Sequence, residues 1–247
     1  MPAVLVHGVP ETAELWGPLR ARLRRDDVVA LRLPGFGRPL PPGFQATKEG
    51  YAAWLTEAVA ELGGQGPVDL VGHDWGGGLV VRLVSLRPDL VRSWATDAAA
   101  LADPAYEWHE HARLFQTPGV GEDLLSAMTT LSADDYLAGL RDLGLPLDAT
   151  DGLTGLDEMM ARCILTLYRS AVHVGAEWAP AFVDVGAPGL VIAPAKDAFL
   201  PEANTRAAAA RAGAHVTELP GAGHWWMLED PARAAAVLQE FWDGLPA

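Results

Sequence analysis

Apolar residues along this chain fall into two patterns. Short, mainly apolar runs occupy residues 4–6, 28–33, 68–71, 91–96, 190–193 and 215–219. Between them, at 13–25, 48–62, 76–86, 201–212 and 231–242, apolar positions recur at helical spacing. Short runs with no polar alternation predict strands covered on both faces, as in a parallel sheet. Strand and helix in alternation predict βαβ units with right-handed crossovers. The expected architecture is therefore α/β, a mostly parallel sheet of about six strands flanked by helices.

One stretch breaks the rhythm. Residues 101–182 contain no convincing strand, but they do contain helix-like pieces at 122–130, 133–143 and 157–173. Turn-rich joints at 117–119 and 145–155 separate these pieces. The reading is a helical lid inserted after the third helix–strand unit. It divides the chain into a core, residues 1–100 and 183–247, and a lid, residues 101–182.

Composition narrows the setting. A chain of 247 residues can bury roughly 70–75% of its unfolded surface, so it needs no metal or disulfide to hold together. The single cysteine, Cys163, cannot form an internal disulfide, which suits a reducing compartment. The N-terminus has no basic run followed by an apolar stretch, and no run of about 18 apolar residues occurs. A cytoplasmic protein, monomer or homodimer, is expected, with no membrane association. The formal net charge of −14 makes nucleic acid a poor partner.

The candidate chemistry starts at residues 68–78, Val-Asp-Leu-Val-Gly-His-Asp-Trp-Gly-Gly-Gly. A strand ends, a helix begins, and Asp74 sits between Gly72 and Gly76. A turn this tight strains the central residue and leaves no room for side chains two positions either side. It lifts that residue clear of the sheet at a helix N-terminus, which favours negative charge. Taken alone, Asp74 fits a helix N-cap equally well. Three further features favour a nucleophile. His7-Gly8-Val9-Pro10 follows the first strand, where the N–H of Val9, with that of Trp75, could stabilise an oxyanion. His224 lies in a loop after the last strand, suited to general-base work. Asp197 follows the fifth strand and could orient His224. The order nucleophile, acid, histidine is one of the known triad orders.

Over nearly its whole length the chain resembles the α/β-hydrolase superfamily. Gly-His-Asp-Trp-Gly-Gly at 72–77 resembles the soluble epoxide hydrolases and the haloalkane dehalogenases, which use an aspartate nucleophile followed by tryptophan. Ala195-Lys196-Asp197, Gly223-His224, Phe115-Gln116-Thr117-Pro118-Gly119 and Leu167-Tyr168-Arg169 resemble segments of the epoxide hydrolases. The resemblance gives Tyr168 the role of a lid tyrosine that polarises the epoxide oxygen. It also implies attack by Asp74 on saturated carbon, an alkyl-enzyme ester, and hydrolysis by water that His224 activates, with no cofactor and no metal.

The chain departs from that pattern in several places. His111 stands where the family's other lid tyrosine would be. It resembles instead a halide-contacting histidine of the fluoroacetate dehalogenases. Their carboxylate-clamping arginines are replaced by Trp75 and Gly78, and the halide-binding asparagine of many haloalkane dehalogenases is replaced by Val9. The usual leading strands are missing, so six strands are expected rather than eight. Asp97, after the fourth strand, is a rival to Asp197 for supporting His224. His7, His111 and Trp108 are candidates for contacting substrate. Tyr106, Tyr136 and the pair Trp225-Trp226 are expected to pack. The expected substrate is small, neutral and apolar. The expected reaction is epoxide opening to a diol, with haloalkane or haloacid dehalogenation as the alternative.

Overall fold

A computed structural model describes every residue except Gln65, Asp151, Thr154 and Ala247. Six strands form one sheet: β1 (Ala3–Val6), β2 (Val28–Leu31), β3 (Val68–Gly72), β4 (Val91–Thr96), β5 (Gly189–Pro194) and β6 (His215–Leu219). Their order is β2-β1-β3-β4-β5-β6 and every pairing is parallel. β1 and β3 are buried along their full length, which explains their mainly apolar runs; the exception, Asp69 in β3, is buried against Arg25 and Arg92. The chain steps from β1 outward to the edge strand β2 and then returns to β3 on the other side of β1. The connections leaving β1 and β3 therefore part in opposite directions. They leave a crevice at the carboxyl ends of these two strands, where sheets of this kind place their ligands.

Eight helices matter here: α1 (Lys48–Gly63), α2 (Asp74–Leu86), α3 (Glu110–Gln116), α4 (Val120–Thr129), α5 (Ala133–Asp142), α6 (Glu158–Ser170), α7 (Glu202–Ala212) and α8 (Pro231–Asp243). The side chains of Thr47, Ser132 and Asp157 cap α1, α5 and α6 by accepting backbone N–H groups in the first turn. α2 is buried on nearly all sides through Trp75, Leu79, Val80, Val81, Leu83 and Val84. Among the described residues all regular structure between β4 and β5 is helical, with α3 to α6 filling that interval. No helix among them is long and apolar enough to cross a membrane.

Two elements differ from expectation. The helix expected over 13–25 is a 3-10 turn, Ala13–Trp16, followed by a single α turn, Gly17–Arg20. Pro18 restarts the helix at Gly17 because its nitrogen cannot donate to the turn before it. The second strand ends at Leu31 rather than at 33. The N–H of Leu33 leaves the ladder and donates to Nε2 of His7, 3.1 Å away.

Candidate active site

At the end of β3 the chain turns sharply into α2. His73 is extended (φ −122°, ψ 140°) and takes the N-cap position, while Asp74 has φ +49°. That left-handed conformation costs a residue with a side chain about 1–3 kcal/mol. It is held by contact on both sides. A Cβ on Gly72 would strike the carbonyl of Gly76, and one on Gly76 would strike the carbonyls of Val6 and His7. Asp74 is thus not the helix cap, and its carboxylate faces the crevice.

Oδ2 of Asp74 accepts the N–H of Val9 at 3.0 Å, and the N–H of Asp74 donates to Oδ1 of Asp97 at 3.0 Å. Burial raises the Asp74 pKa to about 6, against the opposing pull of His224 and His73. Nδ1 of His224 lies 2.9 Å from Oδ2 of Asp197. The other oxygen of Asp197 accepts the N–H groups of Phe199 and Leu200. Burial lowers the proton affinity of His224, but the neighbouring Asp197 outweighs it, and the net shift is upward. Burial likewise pushes Asp197 up, and His224 more than reverses it.

Asp97 serves a different histidine. Its Oδ2 lies 2.5 Å from Nδ1 of His73, and Nε2 of His73 lies 3.2 Å from Oε1 of Glu11. Both ring nitrogens therefore face carboxylates. Burial disfavours a charged His73, yet Glu11 and Asp97 together raise its pKa well above 6.5. Glu11, itself buried, is held at about 2 because the charge of His73 outweighs desolvation. Glu11 also accepts the N–H of Gly8 and the indole N–H of Trp225, and Asp97 accepts that of Trp226. The buried His73, between two buried carboxyl groups, thus lies next to Asp74 in the chain, with its ring centroid 4.6 Å from that of His224.

Sequence reasoning missed Glu11. Its one signal is position, since it follows the His7–Pro10 segment that already carried the oxyanion argument. Trp225 and Trp226, expected only to pack, also hold the two carboxylates. Ligating atoms of Glu11, His73 and His224 lie within 4.8 Å of one another, near enough for a metal. Both nitrogens of His73 are already engaged by carboxylates, so the cluster is built as a hydrogen-bond network.

A cavity of about 290 Å³ opens above Asp74 and His224. Val9, Pro10 and Trp225 border its floor, and α3 to α6 supply the roof. Leu125, Met128 and Leu140 make its far wall aliphatic, and the exposed side chains of Leu131 and Leu143 lie along it. No lysine or arginine among the described residues lines it. Tyr168 does line it, edge-on to Trp75 at 5.4 Å. Burial, and then the charge of Asp74, raise the Tyr168 pKa well above 10, so the phenol stays protonated.

Three expected contact residues fall differently. His111 is exposed and borders the cavity. His7 is fully buried and does not line it, with Nδ1 on the carbonyl of Gly8 at 2.7 Å and Nε2 accepting from Leu33. His7 fixes the loop instead. Trp108 stacks on Trp75 at 5.6 Å and spends its indole N–H on the carbonyl of Ala171, so it backs the cavity wall. Tyr136, expected to pack, does line the cavity.

A parallel sheet, an aspartate-bearing elbow and a histidine–carboxylate pair invite comparison with known proteins. Residues 3–237 match the profile of the alpha/beta hydrolase family. The chain belongs to that family. Among curated relatives, (E)-2-((N-methylformamido)methylene)succinate hydrolase of Acinetobacter baylyi is 34% identical over 95 residues. That match covers 38% of this chain and 36% of the relative, so the chain spans only about a third of that protein's length. Among solved structures, a Pseudomonas aeruginosa protein provisionally described as an epoxide hydrolase superposes with a TM-score of 0.77. It is 21% identical, with 98% of this chain and 88% of that one covered. A haloalkane dehalogenase from Bradyrhizobium elkani superposes with a TM-score of 0.67 at 21% identity, over 98% and 91% of the two chains. At these identities the likeness carries the fold alone.

Proposed function

We propose that this α/β-hydrolase opens epoxides to diols through a covalent ester on Asp74. The observation that carries the reading is the placement of Asp74, its Oδ2 held by the N–H of Val9, beneath an apolar cavity that Tyr168 lines. A carboxylate attacking an ester would form an anhydride, so the fitting electrophile is saturated carbon with a strained or good leaving group. Oδ1 of Asp74 attacks a ring carbon and the C–O bond breaks, its electron pair staying on oxygen. Tyr168 gives that oxygen its proton and regains one from water. His224 then takes a proton from a second water, whose oxygen adds to the ester carbonyl carbon. The resulting oxyanion is Oδ2, already held by Val9, with the N–H of Trp75 as second donor. Collapse releases the diol, which carries Oδ1 and takes the proton from His224; the proton left on the new carboxyl group of Asp74 neutralises the hydroxide formed from the first water and restores the carboxylate. Asp197 holds the imidazole and offsets its charge. We take α3 to α6 as a lid that excludes bulk water from the ester.

Dehalogenation is the second reading, and one observation favours it. The buried indole Nε1 of Trp75 makes no hydrogen bond of good geometry among the described residues and has only the hydroxyl of Tyr168 near it, which leaves its N–H open to a halide. Trp75 does not line the cavity, however, and Tyr168 does. The buried, unpaired Cys163 fits a cytoplasmic setting. The test is a panel of epoxides, haloalkanes and haloacids with diol and halide measured in parallel, using Asp74→Ala as the blank. Diol without halide supports the first reading. Halide release that Asp74→Ala abolishes replaces it with the second.

A further inference from the structure

His109 begins α3, and its side chain caps that helix. Nδ1 accepts the N–H of Ala112 at 3.3 Å. An imidazole that accepts through Nδ1 and is neutral carries its proton on Nε2. Burial, and then the charges of His111 and His224, lower its pKa to about 4, so the neutral form prevails. The ring is half-buried, lines the cavity that Asp74, Tyr168 and His224 also line, and packs at 4.9 Å against Phe199. Phe199 packs in turn at 4.7 Å against His224. Nε2 of His109 donates to no protein group among the described residues. Apart from Tyr168, Tyr136 and His111 the lining is mostly apolar, so an oxygen gaining charge there finds few donors.

We propose that the Nε2–H of His109 donates a second hydrogen bond, beside that of Tyr168, to the ring oxygen as its bond to carbon breaks. This rests on the epoxide reading above and adds a catalytic residue to it. His109 transfers no proton. It accompanies the electron pair onto oxygen, while Tyr168 supplies the proton. His111, two residues on, is exposed to solvent and less suited to a dry site.

Two substitutions separate donating from capping. Asparagine is a good N-cap residue but too short to reach the cavity from position 109. Glutamine caps poorly, but its amide N–H extends about as far as Nε2. Ester formation and ester hydrolysis are followed separately by quench-flow mass spectrometry of the full chain with styrene oxide. The expected result is that His109→Asn keeps the wild-type melting temperature and slows ester formation about 10²-fold, with hydrolysis unchanged. His109→Gln recovers part of the lost rate. The proposal is overturned if His109→Asn forms ester at the wild-type rate, or if the loss follows the cap, with glutamine worse than asparagine. It is also overturned if His111→Asn, and not His109→Asn, slows ester formation. A wild-type chain that forms no ester and no diol from styrene oxide or from terminal alkyl epoxides removes the epoxide reading itself, a result distinct from the other three.

Discussion

Asp74 and His224 titrate against each other, and the order of events in the cycle gives this a consequence. In the proposed cycle Asp74 attacks only when ionised, so ester formation is expected to fall as the pH drops through about 6. His224 acts only when neutral, and in the resting enzyme its pKa lies above 6.5, partly through the charge of Asp74. Alkylation removes that charge. The proton affinity of His224 must then fall at the step that needs it as a base. The acid limb of ester hydrolysis is therefore expected below the pKa of His224 read by NMR in the free enzyme. Coincident values would show that Asp74 does not communicate with the histidine. His224→Gln should still form ester and then stop, giving an adduct of the intact chain with the mass of the epoxide added; an unmodified chain would contradict the nucleophilic role of Asp74. Beneath this pair, Glu11→Gln leaves the buried His73 cation with one carboxylate. Breaking a buried ion pair costs roughly 3–5 kcal/mol, and urea unfolding at neutral pH should show a loss of that order. Sequence alone pointed to Asp74, His224 and Asp197 because each lies at or a few residues past a strand end beside a recognisable neighbour, and the fold brings Asp197 onto His224 and His224 to the cavity of Asp74. Glu11 and His109 carried no such mark, since a buried carboxylate and a capping histidine differ from surface ones only through contacts distant in sequence.

The elements show where local pattern suffices. The inner strands β1, β3, β4 and β5 were legible because both of their faces are covered, while the edge strands β2 and β6 are only partly buried. The caps Ser132 and Asp157 sit within a residue of the expected helix starts. The segment from 13 to 25 was misread because its apolar period continues through Gly17-Pro18, where the hydrogen bonding cannot. The end of β2 was misread because a histidine just past the end of β1 takes the N–H of Leu33. The turn into α2 makes a sharper prediction. Alanine in place of glycine inside a helix ordinarily gains up to about 1 kcal/mol. At Gly76 the added methyl would meet the carbonyls of Val6 and His7, which cannot yield without moving the His7–Pro10 loop. At Gly78 it would meet mainly the tip of the Leu101 side chain, which can turn aside. Gly78→Ala is therefore expected to fold with near-native stability. Gly76→Ala should lose several kcal/mol in a chemical denaturation curve or fail to accumulate folded. Equal effects at the two sites would mean that the elbow is looser than its contacts imply.

At the scale of the whole molecule, charge and cavity point the same way. The chain carries 32 acidic and 18 basic side chains, and no lysine or arginine among the described residues lines the cavity. An epoxide with a carboxylate at the far end of its chain meets two separate penalties. One is long-range repulsion by a net charge of −14, which salt screens over about 10 Å at 0.1 M. The other is desolvation against leucine and methionine side chains with no cation to compensate, which salt does not relieve. A neutral terminal epoxide is therefore expected to show a kcat/KM at least about tenfold above that of its ω-carboxylate counterpart of equal length, tenfold being about 1.4 kcal/mol. Raising the ionic strength separates the causes. If the gap closes by 0.5 M salt, the surface field discriminates and the cavity is indifferent. If most of it persists, the aliphatic wall of α4 and α5 sets the preference, and an arginine at Leu143, beside the exposed end of that wall, should narrow it for the carboxylate alone. No gap at any salt concentration would mean that the carboxylate stays in solvent, and that the substrate's tail leaves the cavity rather than filling it.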